Sequence, residues 1–194
     1  LLNFEGKNEE LFSIVKNNKL YEILYKSLKK DKFYKEINNK INSKFYNDYN
    51  LIVNTDFNHP ITRKFFNRKI LKKYNSSAYT TTIKHEKISN DTAIQIFTKK
   101  GPLAFLPISK IETSIVYSLH GTKNISKEKI NALINKYNFK YKIKKINKIE
   151  SFELKSFSLR SYYYKNILAF GDLLHKIHPL AGQGFNMTLR DIKF

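Results

Sequence analysis

From Ala78 onward the hydrophobic period of the chain switches to that of strands, and this constrains the fold more than any other feature. The run Tyr79-Thr80-Thr81-Thr82-Ile83-Lys84-His85-Glu86 is rich in β-branched residues, and Thr92 to Thr98, Leu103 to Ile108 and Thr113 to Leu119 follow at strand-like lengths. Gly101-Pro102 marks a turn between two of them. Four strands in succession imply an antiparallel sheet. The flanks read differently. Lys19 to Leu28 places Leu20, Ile23, Leu24 and Leu28 at helical spacing, and a helix is expected over 61–73 with Pro60 in its first turn. Asn50-Leu51-Ile52-Val53 reads as a short buried strand entering a turn at Asn54-Thr55-Asp56, and Glu10 to Val15 as a further short strand. Residues 126–137 predict a helix capped by Ser126, with Glu128 in its first turn. Phe152 to Leu159 is a weak alternating strand, and Asn166 to Phe170 an apolar one that runs into Gly171-Asp172. The fold class is therefore α/β in the α+β sense.

The formal charge of +20 nominally suggests a polyanionic partner. Its make-up argues otherwise. Of 36 basic residues only Arg63, Arg68, Arg160 and Arg190 are arginine, and the excess is spread along the chain with one denser stretch from Lys136 to Lys148. Nucleic-acid binders concentrate Arg and Lys on one face, with Arg making bidentate contacts. A lysine-rich solvated surface is the expectation, with no nucleic-acid partner; weak attraction to anionic lipid stays open. There is no cysteine, which excludes disulfides and thiolate metal sites. No stretch reaches the roughly 18 apolar residues of a membrane span, and the first residues lack the pattern of a signal peptide.

The segment that carries chemistry is 171–191, Gly-Asp-Leu-Leu-His-Lys-Ile-His-Pro-Leu-Ala-Gly-Gln-Gly-Phe-Asn-Met-Thr-Leu-Arg-Asp, which holds three of the six glycines. An apolar strand delivers Asp172 at its carboxyl end, where α/β sheets place ligands. A carboxylate there can accept hydrogen bonds from sugar-like hydroxyls. Gly182 and Gly184 remove side chains where backbone approaches a ligand. The helix that begins near Gly184 offers free N–H groups to a phosphate or an electron-rich ring edge. His175 and His178 read either as cofactor neighbours or as packed histidines at a helix start; neither has a metal-site spacing, and no metal is expected.

This segment resembles the second flavin-binding motif of the FAD-dependent aromatic hydroxylases, and specifically of the ubiquinone-biosynthesis hydroxylases (2-polyprenylphenol and 6-methoxyphenol hydroxylases). The resemblance continues upstream through Tyr74, Ala78, His85-Glu86, Ala93, Phe97-Thr98, Gly101-Pro102-Leu103-Ala104 and Leu106-Pro107, and into Leu11 to Asn17 and Leu20. It implies a para-hydroxybenzoate-hydroxylase-like FAD-binding fold with an antiparallel sheet on the substrate side. Residues 1–76 and 161–194 would belong to the FAD-binding domain and 77–160 to the substrate-side domain. Asp172 would bind the ribityl chain, and Gly171, Pro179, Gly182, Gln183, Gly184 and Asn186 would line the isoalloxazine and pyrophosphate side; no catalytic side chain is assigned. A second family motif, Asp-Gly then Ser then Arg, corresponds to Asp56-Phe57-Asn58-His59-Pro60-Ile61-Thr62-Arg63. Asp56 and Arg63 match, while Phe57 replaces the glycine and Pro60 the serine, so this pair reads as a cofactor contact or as an ordinary surface turn.

What the resemblance implies is an FAD-dependent monooxygenase that hydroxylates the ring of a prenylated phenol with dioxygen. NAD(P)H or another electron donor would supply electrons. Cytoplasmic placement is expected, with peripheral membrane or biosynthetic-complex association as an extension. A flavin reductase of the same fold and a basic nucleic-acid or anionic-lipid module are the alternatives. The only methionine is Met187, 186–194 reads as a helix still in progress, and the Gly-x-Gly-x-x-Gly motif for the ADP half of FAD is not among these residues. The chain is therefore expected to be an internal piece of a longer protein, inactive alone.

Overall fold

The computed structural model describes residues 12–37, 46–121, 125–176 and 183–193, with backbone alone at His175 and Gln183. In chain order the elements are α1 (Asn17–Leu28), β1 (Ile52–Asn54), α2 (Pro60–Phe65), β2 (Lys69–His85), β3 (Ile94–Thr98), β4 (Gly101–Ser109), β5 (Glu112–His120) and α3 (Lys127–Tyr137). They continue as β6 (Ile143–Ile146), β7 (Glu150–Leu159), β8 (Tyr163–Tyr164), β9 (Ile167–Ala169), a 3-10 turn (Gly171–Leu173), β10 (His175–Lys176) and α4 (Gln183–Lys193). Seven strands form a sheet in the order β10-β7-β2-β5-β4-β3, with β6 on β2, and three form a second sheet, β1-β9-β8. The chain divides into two compact units. One comprises 1–38, 79–117 and 125–150, the other 39–78, 118–124 and 151–194.

In the first unit, the expected run of antiparallel strands is present. β3, β4 and β5 pair in sequence, Ile96 opposite Leu103 and Phe105 opposite Ile115. Alternation sets the core: Thr113, Ile115 and Tyr117 of β5 and Leu103 and Phe105 of β4 are buried while their neighbours are not. The turn expected at Gly101-Pro102 lies two residues earlier, at Lys99-Lys100. Gly101, at φ +136°, already pairs with Thr98, whose hydroxyl donates to its carbonyl at 2.7 Å. Helix α3 is where its cap placed it: Ser126 Oγ accepts from the Lys129 N–H at 3.4 Å, and Ile130 and Ile134 are buried.

A buried polar network completes this core. His85 is 3% exposed; its Nδ1 lies 2.7 Å from the Glu86 carbonyl, which can only accept, so Nδ1 carries the proton. Asn90 Nδ2 donates to Thr113 Oγ1, which also lies in hydrogen-bond contact with His85 Nε2 at 3.0 Å. Tyr141 donates to Asn90 Oδ1 at 3.0 Å, and burial raises the pKa of its phenol. Every member has a partner, so this histidine is a packed core residue. Helix α1 has the apolar spacing read from its sequence but buries no residue. It is tied by Lys16, whose Nζ lies 2.7 Å from Glu112 Oε2. The strand expected over Glu10 to Val15 falls partly outside the described residues, and 12–15 is irregular.

In the second unit, β1 and β9 run parallel, with Ile52, Val53 and Asn54 opposite Ile167, Leu168 and Ala169. The burial expected of β1 is incomplete, because Leu51 and Val53 are exposed on the edge strand. The helix expected over 61–73 ends at Phe65; Phe66 leaves the helical region at φ −119°, ψ 40°, and from Lys69 the chain enters β2. Ile70 and Leu71 are strand residues of β2, which lies beside β7 in the sheet. Ile61, Phe66, Leu159, Ile167, Ala169 and Leu173 form the core here, with Ile52, Phe57 and Phe65 packed on it. β7 buries Leu154 on one face and Phe157 and Leu159 on the other, as its mixed alternation implies.

Candidate functional site

Two turns leave the carboxyl ends of β1 and β9, which lie side by side: Asn54 opposes Ala169, and the Phe170 N–H donates to the Asn54 carbonyl at 3.0 Å. The sequence-predicted residues Asp56 and Asp172 stand two and three residues beyond these strand ends. The carboxyl edge of parallel strands is where such sheets bind ligands.

After β9 the chain enters the 3-10 turn through Gly171 at φ +62°, a conformation that L side chains rarely adopt. A Cβ on Gly171 would meet only Thr188 of α4, at 3.9 Å, so the glycine serves the backbone conformation rather than clearance. Leu173 is fully buried and anchors the turn, while Asp172 between them is exposed. Among the described residues the Asp172 carboxylate makes no hydrogen bond or ion pair. Helix α4 opens with Gln183 and Gly184; among the described residues a Cβ at Gly184 would meet nothing within 4 Å. Asn186 is exposed, and Arg190 and Lys193 in the last turn favour the helix dipole. The first N–H groups of α4 have no intrahelical acceptor. Gly182, Pro179 and His178 lie outside the described residues.

The turn after β1 is closed on itself. Asn54 is buried; its Nδ2 donates to Thr62 Oγ1 at 2.7 Å and its Oδ1 accepts the Asp56 N–H at 3.2 Å. The Thr62 hydroxyl donates to the Asp56 carbonyl at 2.6 Å. Asp56 Oδ1 accepts the Asn58 N–H at 2.8 Å, and His59 Nδ1 accepts the Ile61 N–H at 3.3 Å to cap α2, with Pro60 as its first residue. Asn54, His59 and Thr62 escaped the sequence reading; the only signal for them was the polar turn after an apolar run. Phe57, which stands where the resembled motif has glycine, packs edge-on against Phe157 at 4.7 Å. Arg63 is exposed on α2; its backbone N–H donates to the His59 carbonyl at 3.4 Å, and its guanidinium makes no hydrogen bond among the described residues. The described residues include no cluster of three metal-ligating side chains and no helix long and apolar enough to cross a membrane.

No family model matches the chain. It is similar to 3-demethoxyubiquinol 3-hydroxylase of Escherichia coli, 29% identical over 126 residues that cover 61% of this chain and 32% of that protein. It is also similar to the ubiquinone hydroxylase UbiL of Rhodospirillum rubrum, 26% identical over 126 residues covering 61% of this chain and 29% of the relative. The chain thus spans about a third of the length of the curated relatives it matches. In fold it resembles CmlS, a flavin-dependent halogenase, with TM-score 0.57 and 15% identity over 72% of this chain and 28% of that one. It also resembles CabE, an aromatic hydroxylase from angucycline biosynthesis, with TM-score 0.53 and 15% identity over 73% of this chain and 30% of that one. The mixed helix and antiparallel-sheet architecture and the glycine–aspartate turn after β9 agree with these relatives: the chain is similar in sequence to ubiquinone hydroxylases and in fold to flavin-dependent halogenases and aromatic hydroxylases.

Proposed function

We propose that the protein carrying this chain is an FAD-dependent monooxygenase that hydroxylates the ring of a prenylated phenol, as in ubiquinone biosynthesis. One observation carries the cofactor assignment: an exposed carboxylate, Asp172, without a partner among the described residues, stands at the carboxyl edge of parallel strands in a turn packed against α4. These residues fit a flavin dinucleotide. Asp172 accepts hydrogen bonds from ribityl hydroxyls. The N–H groups of Gln183, Gly184 and Phe185 at the start of α4 donate to an anionic or electron-rich edge, and the open space at Gly184 admits it. Asn186 on the same helix adds to the lining; Pro179 and Gly182, assigned to the cofactor from the motif, lie outside the described residues. When bound, reduced flavin activates dioxygen and supplies the oxygen atom. The chain's own part is to hold the ring in place and exclude water.

Asp56 and Arg63 stand in second place. Asp56 has one oxygen engaged in its own turn, and Phe57 fills the position where a glycine would allow close approach. Residues 77–160 serve the substrate side and 1–76 with 161–194 the cofactor side in this reading, and NAD(P)H or a comparable donor supplies electrons. Membrane or biosynthetic-complex association follows from a prenylated substrate.

The test is flavin uptake by the purified full-length protein. Asp172→Ala should weaken FAD binding about tenfold or more, the loss of a charge-assisted hydrogen bond, and Asp56→Ala by much less. Absence of flavin absorbance and of FAD uptake in the unmodified protein ends the proposal. Flavin-dependent turnover that needs no dioxygen and incorporates no oxygen atom into the product would transfer it to the reductase class.

A further inference from the structure

The hairpin β8–β9 carries an unusual surface. Tyr162, Tyr163 and Tyr164 follow one another and are 52%, 70% and 41% exposed. Tyr164 stacks on Phe65 of α2 with ring centroids 4.1 Å apart and planes within 12°. Lys64 Nζ lies 5.2 Å from the Phe65 ring and Lys165 Nζ 5.8 Å from the Tyr164 ring. The Arg160 N–H donates to the Arg68 carbonyl at 3.0 Å, which brings a second basic pair to the same segments. Three of the chain's four arginines, Arg63, Arg68 and Arg160, fall here, in a protein whose basic residues are otherwise lysine. No acidic residue occurs between Asp56 and Glu86 or between Glu153 and Asp172. Among the described residues, Lys64, Arg68, Arg160 and Lys165 take part in no ion pair.

The tip of the hairpin adds an independent observation. Tyr164 pairs with Ile167, so Lys165 and Asn166 form a two-residue loop, and Lys165 sits at φ +52°. Glycine, asparagine or aspartate is the usual occupant of such a position. The loop is held in place by Asn166, whose Nδ2 donates to the carbonyls of Tyr46 at 2.9 Å and Tyr49 at 2.7 Å. A long cationic side chain is therefore presented at a fixed tip in a backbone conformation that disfavours it. Strained positions of this kind concentrate where the side chain is used.

Tyrosine rings are amphipathic and collect at membrane–water interfaces, and clustered cations are drawn to anionic leaflets. Successive residues of a strand face opposite sides, so β8 offers rings on both faces of the hairpin. Phe65 and Tyr164 cover one face of each other, which leaves fewer ring faces for stacking with bases. We propose that this hairpin corner is a docking surface for an anionic lipid bilayer, with Tyr162 and Tyr163 at headgroup level and Lys64, Arg68, Arg160 and Lys165 against the anionic headgroups. The inference stands on this surface alone and does not rest on the flavin assignment.

The experiment is co-sedimentation of the full-length protein with vesicles of phosphatidylcholine alone or mixed with phosphatidylglycerol, at low and high salt. Retention on the mixed vesicles is expected, falling as salt rises. Lys165→Gly should lower partitioning about fivefold, the contribution of one cation near the surface. Its thermal midpoint should be unchanged or higher, since glycine is at ease at this φ. The double change Tyr162→Ser, Tyr163→Ser should lower partitioning further; should that variant fail to fold, Lys165→Gly decides by itself. Equal retention on neutral and mixed vesicles, unchanged partitioning of Lys165→Gly, or stronger retention of duplex DNA than of mixed vesicles at the same salt would each overturn the proposal.

Discussion

The turns after β1 and β9 start from adjacent strand ends and each presents an exposed aspartate, yet they are built on opposite plans. The first satisfies itself: Asn54, Thr62, Asp56 and His59 exchange hydrogen bonds among themselves and with nearby backbone, and the half-buried Phe57 packs edge-on against Phe157. The second leaves its groups unmatched, with Asp172 facing solvent and open space at Gly184. Internal saturation makes a turn rigid and chemically quiet; unmatched donors and acceptors make one available to a ligand. Position at the carboxyl edge of a sheet is therefore not sufficient to define a binding residue, and the local hydrogen-bond inventory separates the two aspartates.

The comparison is open to direct attack. Phe57→Gly restores the glycine of the resembled motif, and if the first turn is structural it should cost about 3 kcal/mol of stability, from lost burial and added backbone freedom. Denaturant unfolding measures this; a neutral result would mean that Phe57 does not hold the turn and that the two turns are alike. Gly171→Ala should cost about 1–2 kcal/mol, because its φ of +62° is unfavourable for any L side chain while the space for a methyl group exists. The smallest effect belongs to a control remote from both turns, the contact between Lys16 and Glu112. Hydrogen bonding from Lys16 holds the Glu112 carboxyl below the usual carboxylate range. A depressed folded-state pKa contributes stability above the unfolded pKa and loses it as pH falls through the folded one. Lys16→Ala should therefore cost about 0.5 kcal/mol near neutrality, Lys16 being half-exposed and screened, and nothing in acid. A loss larger in acid than at neutrality would refute this sign.

How legible these features were in the sequence depended on range. Helix α3 could be read almost to the residue, because Ser126, Glu128 and the Ile130–Ile134 spacing are local signals. The Gly171-Asp172 turn was legible for the same reason: strand, glycine and carboxylate are contiguous. By contrast, Lys69 to Lys73 was misread as the continuation of a helix, since nothing nearby announces the pairing of β2 with β7. The structural role of Phe57 depends on Phe157, far along the chain, and the closure of the first turn depends on a buried amide, Asn54, whose partner lies on the next helix. The motif could nominate both aspartates, but only their surroundings rank them.

The parallel pairing of β1 with β9 also sets a timetable for biosynthesis. Asn166, at the base of β9, donates to carbonyls 117 and 120 residues earlier in the chain. At roughly 5–20 residues per second, a ribosome needs about 6–24 s to make that interval. During that time β1 has left the ribosome without the neighbour that pairs its backbone, and Leu51 and Val53 add an apolar edge. The antiparallel strands β3 to β5, adjacent in sequence, can pair within the same interval. The strand edge that carries Asp172 is thus the last part of the β1–β9 sheet to be completed, and the nascent chain is most exposed to wrong pairing before β9 arrives.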